Sequence, residues 1–403
     1  MKNYLTISMK GTIKYIMKAF TSLFVVITLC TISLTYAQQN LTQLTVEELR
    51  LDKAIQVLPE VTSRLDKQVI EFSRQIHRAR NYTALTQLVL LHSRKLWYAA
   101  ELSFEEQQDF DDRPLYWARL KMTKALRETP LFKELLAVQQ GKLLWKFELY
   151  SRGLADIKFN KGAATRILIT GFDPFFLDRN IAQSNPSGVA ALALDDLFLG
   201  NEEYSAEIET LMIPVRFADF DQGMIETMLK PYIQSHKVDM VITISMGRSD
   251  FDLERFPALR RSAKVPDNLN VYTGADSNNP LVPLLRGEKL NGPEFVEFSF
   301  PAKKMQQATG DYHVNDNRRV TTLTKTFVAK SLKELAGEIS VQGSGGGYLS
   351  NEISYRSILL RNQYAPVLPV GHIHTPSVKT YQAQTNEKIV KQIKAMLLQA
   401  IKK

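Results

Sequence analysis

The stretch TRILITGF, residues 165–172, is where the character of this sequence changes. Before it, from Leu41 to about Leu149, apolar residues recur every three or four positions and glycine is nearly absent, which is typical of amphipathic helices. After it, short runs rich in β-branched residues alternate with helical segments. This alternation predicts a mostly parallel sheet with helices on both faces. We therefore expect a three-layer α/β/α fold preceded by an all-helical N-terminal extension.

The strands and helices of the predicted sheet follow from these runs. The predicted strands are residues 165–172, 206–215, 238–246, 338–344 and 366–375. The predicted helices are residues 188–200, 217–236, 319–337, 350–363 and 386–403. The resulting division of the chain is a leader over 1–37, the helical extension over 38–160 and the α/β/α domain over 161–403.

The first 37 residues have the pattern of a secretory signal peptide. They carry four lysines and no acidic residue, then the apolar run AFTSLFVVITLCTISL, and they end at the small residue Ala37. We expect export to the periplasm or the medium, with no membrane contact after cleavage. A retained anchor is the alternative, although the apolar run is short for a membrane span. Cleavage would remove Cys30, the chain's single cysteine, and would exclude disulfides.

The net charge does not indicate a nucleic-acid partner. The whole chain has a formal charge of +9, but without the four leader lysines 47 basic residues face 42 acidic ones. Such a mild, scattered excess is typical of a solvated surface. The aromatic residues of the helical extension are interpreted as core or docking residues rather than ligand contacts: Trp97, Tyr116, Trp117 and Trp145.

Side chains suited to catalysis or ligand binding lie at or after the ends of several predicted strands. In parallel sheets the site lies beyond the carboxyl ends of the strands, so these side chains are expected to converge. They are Phe172, Phe175 and Asn185 after the first strand, Arg248 and Glu254 after the third, Ser350 after the fourth, and His372 and His374 in the fifth. A hydroxyl, an imidazole and a carboxylate are the parts needed for acyl transfer. The alternative for Ser350 is a simple helix N-cap.

No metal or cofactor is predicted. A His-x-His pair on one strand points both rings to the same face, which a metal can use, but no helical zinc motif or paired cysteines accompany His372 and His374. The segment GSGGG, residues 343–347, lacks the lysine and threonine of a phosphate loop.

Four motifs in order resemble one known family. They are TGFDPF with NPS downstream, GRSDFDLER followed by VPDN, GGGYLSN, and HIHTP. Together they resemble the pyroglutamyl peptidase I family, also called pyrrolidone carboxylyl peptidases, which are α/β/α cysteine peptidases that remove N-terminal pyroglutamate. The resemblance covers residues 166 to 403, with an insertion around 309–335.

The resemblance implies specific roles for residues of this chain. The catalytic glutamate falls on Glu254, the histidine on His374, and the nucleophile on Ser350, where the family has cysteine. The resemblance also implies that Phe172 and Phe175 border the pyroglutamate ring and that Arg248 lies next to the site. The chain departs from the family pattern at residues 176–177, where Phe and Leu replace a usual pair of glycines.

Two functions follow for a peptide or small lactam ligand. The first is hydrolysis of a pyroglutamyl or related amide, with Ser350 as nucleophile, His374 as base and Glu254 orienting the ring. Because a serine hydroxyl stays protonated, this requires Ser350 within hydrogen-bond reach of His374. The second is an inactive relative that binds a capped peptide or lactam without cutting it. The sequence leaves the oligomeric state open.

Overall fold

The computed structural model describes residues 40–160, 165–201 and 203–402. The predicted leader, residues 1–37, lies outside these ranges. None of the helices in the described ranges is long and apolar enough to cross a membrane.

Residues 40–160, here called the helical region, form helices without a strand. The helices are α1 Val46–Leu49, α2 Leu51–Val57, α3 Pro59–Ser63, α4 Asp66–Ile76, α5 Tyr82–Gln107, α6 Arg113–Glu128, α7 Pro130–Glu134 and α8 Ala137–Tyr150. Local sequence explains several starts. Thr45 and Glu48 form a capping box at α1, and the Asn81 side chain accepts a hydrogen bond from the backbone of α5.

The helical region shares its core with the part of the chain that follows. Phe72, Trp97 and Phe147 are buried in the same apolar cluster as Ile167 and Ile208 of the sheet. Each such side chain removed from water contributes roughly 1.5–3 kcal/mol to folding. The two parts of the chain are therefore held together by a continuous hydrophobic core.

Residues 165–402, here called the α/β region, are built on a seven-stranded sheet. Its strands are β1 Arg166–Phe172, β2 Leu197–Gly200, β3 Ser205–Ile213, β4 Met240–Met246, β5 Phe251–Glu254, β8 Val314–Asn317 and β12 Val370–Thr375. The spatial order is β2-β3-β1-β4-β12-β5-β8. The four central strands β3, β1, β4 and β12 are mutually parallel, whereas β2 pairs antiparallel with β3 and β5 pairs antiparallel with β12.

Helices cover both faces of this sheet. They are α9 Pro186–Leu194, α10 Phe217–Asp221, α11 Met224–Gln234, α12 Ala302–Met305, α13 Leu349–Tyr364 and α14 Ala383–Ile401. From β1, the chain first moves toward one edge of the sheet to form β3. It then returns past β1 and moves toward the other edge to form β4 and later β12. Since parallel crossovers are right-handed, α9 lies on one face and α11 with α13 on the other. Helix α14 packs against α9, and α5 of the helical region also contacts α9.

This architecture confirms the predicted α/β/α fold with its mostly parallel sheet and helical N-terminal part. Four predicted elements were wrong. Helix 188–200 ends at Leu194, and residues 197–200 form the edge strand β2. The segment after β4, for which no strand was predicted, contains β5.

The other two errors fall in one part of the chain. The predicted helix 319–337 instead contains β9 Arg319–Thr322, β10 Thr326–Val328 and a short 3-10 helix Leu332–Leu335. The predicted fourth strand is only β11 Ser340–Gln342, and it pairs with β9 in a separate three-stranded sheet. A further small hairpin consists of β6 Leu284–Leu285 and β7 Glu288–Lys289.

Candidate active site

Three parallel strands end at the same edge of the sheet and define a candidate site. β1 ends at Phe172, β4 at Met246 and β12 at Thr375. The register pairs Ser245 of β4 with His374 of β12. Loops that follow such strand ends are where α/β proteins bind ligands.

Glu254 and His374 form a short, buried hydrogen bond at this edge. Glu254 Oε1 lies 2.5 Å from His374 Nδ1, and the two residues are 1% and 8% exposed. Burial raises the pKa of Glu254, and the charge and hydrogen bond of His374 oppose this increase. Because the carboxylate accepts from Nδ1, the ring is held in one orientation with Nε2 left for proton transfer.

Asn317 holds the second oxygen of Glu254. The register of β5 with β8 places Asn317 opposite Glu254, and its Nδ2 donates to Glu254 Oε2 at 2.9 Å. The same nitrogen donates to the carbonyl of Ser344 at 2.9 Å. The sequence prediction missed Asn317, because it lies in the segment treated as an insertion and no motif marks its strand.

Ser350 is the second residue of α13 rather than its cap. Tyr348 is the N-cap, in an extended conformation, so the N-cap alternative for Ser350 is wrong. The Ser350 Oγ donates to the carbonyl of Gly345 at 3.4 Å, which is long for a hydroxyl hydrogen bond. The serine therefore lies in the first helical turn, where main-chain N–H groups lack helical partners.

Ser350 and His374 both border Gly345 without a hydrogen bond between them. A side-chain carbon placed on Gly345 would lie 3.5 Å from Glu254 Cγ and 3.5 Å from His374 Cε1. The direct contact between Ser350 and His374 that serine catalysis needs is not formed in this conformation, since the Ser350 hydroxyl bonds to Gly345 instead.

Two glycines allow this close arrangement. Gly346 has a φ of +87°, which L-residues with a side chain rarely adopt, and it closes a turn with Gly343 before the helix. A side chain at Gly247 would place its first carbon 2.6 Å from His374 Cβ. Glycine at 247 thus lets the end of β4 lie against the imidazole-bearing residue.

A narrow cavity of about 40 Å³ opens beside Ser350. It is lined by Phe172, Phe175, Asn185, Val215, Ser245, Met246, Tyr348, Leu349 and Ser350. Three predicted binding residues, Phe172, Phe175 and Asn185, are thus brought together. Arg248, the fourth, has an exposed side chain and does not line the cavity.

Asn185 has a structural use as well. Its Oδ1 accepts from the backbone N–H of Ser187 at 3.1 Å, and its Nδ2 donates to the carbonyl of Asp173 at 2.9 Å. Both ends of the amide are therefore engaged in fixing the loop after β1 to the start of α9.

His372 is fully buried next to His374. The two ring centroids are 4.9 Å apart and the rings are nearly perpendicular. Thr243 Oγ1 lies 2.8 Å from Nδ1 of His372 and Ser245 Oγ lies 2.7 Å from Nε2. With both nitrogens engaged, His372 has none free to bind a metal with His374.

One group of carboxylates in the described ranges has the spacing of cation ligands. Oxygens of Glu101, Asp156 and Asp196 lie within 4.8 Å of one another. The group includes none of the residues that line the cavity beside Ser350.

Comparison with known proteins identifies the family. The model described as PA0049 N-terminal domain matches residues 33–148, and that described as PA0049, C-terminal domain matches residues 166–294 and 298–379. The second match alone spans just over half of the chain. The chain belongs to the PA0049 family.

Relatives of this PA0049-family chain fall into two groups. Uncharacterized protein PA0049 of Pseudomonas aeruginosa is 29% identical over an alignment 397 residues long, gaps included. The alignment covers 75% of this chain and 71% of that protein. The pyrrolidone-carboxylate peptidase of Lacticaseibacillus paracasei is 25% identical over 213 residues, or 52% of this chain and 77% of that protein. That of Yersinia pestis is 26% identical over 214 residues, or 52% of this chain and 78% of that protein. The chain is thus distantly similar to pyrrolidone-carboxylate peptidases.

Solved structures of the same enzyme also match. A mutant pyrrolidone carboxyl peptidase from Pyrococcus furiosus has a TM-score of 0.39 and 22% identity, and the match covers 58% of this chain and 97% of that chain. The pyrrolidone carboxyl peptidase of Thermococcus litoralis has a TM-score of 0.38 and 20% identity, with 59% and 93% covered.

In this PA0049-family member, a buried charge network joins the helical region to the loop after β1. The Asp173 carboxylate lies 3.1 Å from Arg119 Nη1 and 2.7 Å from Arg152 Nη2. Burial alone would raise the pKa of Asp173, but the two arginines outweigh it and the pKa is lowered. Glu148 and Arg216 complete the network.

Residues 172–181, here called the aromatic loop, are also anchored through apolar contacts. Leu177 and Ile181 are buried with residues of the helical region: Leu51, Ala54, Tyr116, Trp117 and Leu120. Phe176 has a φ of +62°, and Arg179 stacks over its ring at 4.6 Å. The departure from the glycine pair at residues 176–177 therefore has a structural role, since Leu177 attaches the loop to the helical region.

Proposed function

We propose that this protein is an exported amide hydrolase that removes an N-terminal pyroglutamyl or related cyclic acyl group. The observation that carries the proposal is the buried Glu254–His374 pair, 2.5 Å apart, beside the glycine turn that precedes Ser350. The distant similarity to pyrrolidone-carboxylate peptidases supports the same class of reaction.

In the proposed reaction, Ser350 takes the place of the cysteine of related enzymes. Its hydroxyl turns from the Gly345 carbonyl toward His374 Nε2, which removes the proton as the oxygen attacks the amide carbon. Glu254 stabilises the imidazolium that forms, and His374 then returns the proton to the leaving amine. Water, deprotonated by the same imidazole, then cleaves the acyl ester on Ser350 and releases the free acid. The partnerless N–H groups at the start of α13 are suited to stabilise the tetrahedral oxyanion.

The residues around the cavity have the chemistry to bind a small ring. Phe172 and Phe175 supply flat apolar walls, while Ser245 and Ser350 supply polar groups. Ligand pockets commonly combine apolar walls with a few placed polar atoms. A five-membered lactam has this combination of an apolar ring and polar edge atoms, and its binding requires the cavity to widen beyond its present volume of about 40 Å³.

Hydrolysis of pyroglutamyl p-nitroanilide tests the proposal. The wild-type protein should release p-nitroaniline at a rate that thiol reagents do not change, because no cysteine takes part. Ser350→Ala should abolish the release. Ser357→Ala is the matched control, since its hydroxyl lies in the same helix and contacts the carbonyl of Ser354.

A second function, binding without hydrolysis, is favoured by one observation. The Ser350 hydroxyl is engaged with Gly345 rather than with His374. Calorimetry with pyroglutamyl-alanine distinguishes the two. Binding without turnover, in both the wild-type protein and Ser350→Cys, would establish a binding protein and overturn the hydrolase.

Export is part of the proposal and rests on residues 1–37 alone. Fusion of these residues to a reporter enzyme should carry the reporter across the cytoplasmic membrane. A reporter that stays in the cytoplasm would show that the segment is no export signal.

A further inference from the structure

Ser245 lines the same cavity as Ser350 but has a different partner. It lies near the end of β4, is 5% exposed, and its Oγ is 2.7 Å from Nε2 of His372. His372 is 0% exposed, and its Nδ1 lies 2.8 Å from Thr243 Oγ1. Thr243 and His372 take no part in the reaction proposed above, and Ser245 enters it only as one of the polar groups of the cavity.

The protons in this chain of hydrogen bonds can be placed so that each hydroxyl and each ring nitrogen has a partner. Thr243 Oγ1 donates to the carbonyl of Gly371 at 3.2 Å, so its lone pair faces His372. Nδ1 of His372 then carries the proton donated to Thr243, which leaves Nε2 as an acceptor. In this placement Ser245 donates its hydroxyl proton to Nε2. This arrangement satisfies all three side chains at once.

This arrangement of protons requires the His372 imidazole to be uncharged, and the surroundings of His372 favour the uncharged ring. Burial lowers the pKa of His372 well below its usual range, and the nearby His374 lowers it further. A charged ring would donate from both nitrogens, so Ser245 would have to accept from Nε2 and could no longer donate to it.

With its proton committed to His372, the Ser245 oxygen can offer the cavity only lone pairs. We propose that Ser245 is a specificity-determining residue whose oxygen accepts a hydrogen bond from the ring N–H of a lactam, while Thr243 and His372 act as positioning residues. This inference rests on the proposed function for the class of ligand. Beyond that function, it names the Ser245 oxygen as the atom by which the protein distinguishes a lactam from a ring without an N–H.

Ser245 is not expected to be a second nucleophile. A nucleophilic serine leaves a positive charge on its base, and a carboxylate usually stabilises that charge. His372 has the hydroxyl of Thr243 in that position, and the ring is fully buried. An uncompensated charge there would be costly, so the hydroxyl serves in binding.

The test compares two substrates that differ at one atom. One is pyroglutamyl p-nitroanilide, and the other is its lactone analogue, in which the ring N–H is replaced by oxygen. The wild-type protein should prefer the lactam in kcat/KM, or in Kd if there is no turnover. We expect Ser245→Ala to reduce this preference by about tenfold or more, because the lactam N–H loses its acceptor. Ser357→Ala should keep the wild-type preference.

The outcomes separate this inference from the proposed function. A wild-type protein that neither binds nor cleaves the lactam would overturn both. If the wild-type protein binds or cleaves the lactam and Ser245→Ala keeps the same preference for the lactam over the lactone, only the role of Ser245 would be overturned.

A second measurement tests the proton assignment without a ligand. Nitrogen-15 NMR of histidine-labelled protein, with His372 assigned by its loss in His372→Phe, should show a neutral ring protonated at Nδ1. A ring protonated at Nε2, or charged at neutral pH, would contradict the arrangement.

Discussion

Glu254 is the residue on which the orientation of the candidate base depends. It is held from one side by His374 and from the other by Asn317, and it lies among buried residues. An amide at this position would keep the shape of the side chain but would not stabilise a charged imidazole.

We predict that Glu254→Gln lowers kcat for pyroglutamyl p-nitroanilide by about 10²- to 10⁴-fold, because the imidazolium loses its counter-charge. Circular dichroism and thermal melting should show an intact fold. The matched control is Glu297→Gln, which removes a partly exposed partner of Arg255 and should leave kcat unchanged. A kcat within threefold of the wild type in Glu254→Gln would refute the role of Glu254.

Glu209 provides a test of stability at the residue scale. This residue of β3 is 1% exposed, and burial, with the nearby charge of Asp195, raises its pKa to about 8. The folded protein therefore keeps a proton that the unfolded chain releases near its ordinary value of 4.5. Folding stability should fall as pH rises from about 4.5 to about 8, by up to roughly 1.4 kcal/mol per pH unit.

Glu209→Gln should remove this loss. Its melting temperature should match that of the wild type near pH 4.5 and exceed it increasingly toward pH 8. Glu203→Gln, at an exposed position before the same strand, should follow the wild-type curve. Parallel melting curves for Glu209→Gln and the wild type would show that Glu209 titrates normally.

At the scale of elements, the aromatic loop depends on the helical region for its shape. Leu177 is 2% exposed in the apolar cluster with Leu51 and Trp117. Arg50 of the helical region also bonds to Asp178 in this loop, with Nε 2.7 Å from Oδ1. The loop carries Phe175, so its position decides where one wall of the cavity lies.

We predict that Leu177→Ala raises KM for the pyroglutamyl substrate by about tenfold and lowers stability by about 2–5 kcal/mol, because a buried cavity forms at the anchor of the loop. Steady-state kinetics and chemical denaturation measure the two effects. Ile70→Ala, at a side chain that is 66% exposed on α4, is the control and should change neither. Unchanged KM in a destabilised Leu177→Ala would mean that the loop keeps its shape without its anchor.

The elements that were predictable are those with strong local patterns. β1 and β4 are mostly apolar runs of seven residues, and α13 and α14 are segments of 16 and 19 residues without glycine or proline, so their type follows from sequence. β5 has only four residues, two of them acidic, and depends on pairing with β12 and β8 rather than on its own pattern.

The segment 319–337 shows a different limit. Its apolar spacing fits a helix, but its threonines and valines favour strands, and the chain folds it into β9 and β10. Asn317 could not be found for a related reason, because its contact with Glu254 depends on strand register. The convergence of Phe172, Phe175 and Asn185 could be predicted, since the loops after parallel strands meet at one edge.

At the scale of the whole molecule, buried charges join the helical and α/β regions. Arg152 is 1% exposed and contacts both Glu148 of α8 and Asp173 of the aromatic loop. Removing Arg152 would leave these buried carboxylates with one positive charge fewer, although Arg119 and Arg216 would still contact them.

We predict that Arg152→Met lowers the free energy of unfolding by about 3–5 kcal/mol for this reason. The lowered pKa of Asp173 stabilises the wild type above the unfolded value of 3.8 and is lost as pH falls through the folded pKa. Acid unfolding of Arg152→Met should thus begin at higher pH. Lys142→Met, at an exposed position on α8, is the control. Wild-type acid sensitivity in Arg152→Met would contradict the network.

Phe72, Trp97 and Phe147 of the helical region share one buried core with the sheet, so each part of the chain needs the other to cover its apolar surface. Two separately translated fragments, 38–160 and 161–403, should therefore precipitate when made alone and reassemble into one particle when made together. Such fragment complementation would turn the molecule into a split reporter without any added dimerising tag.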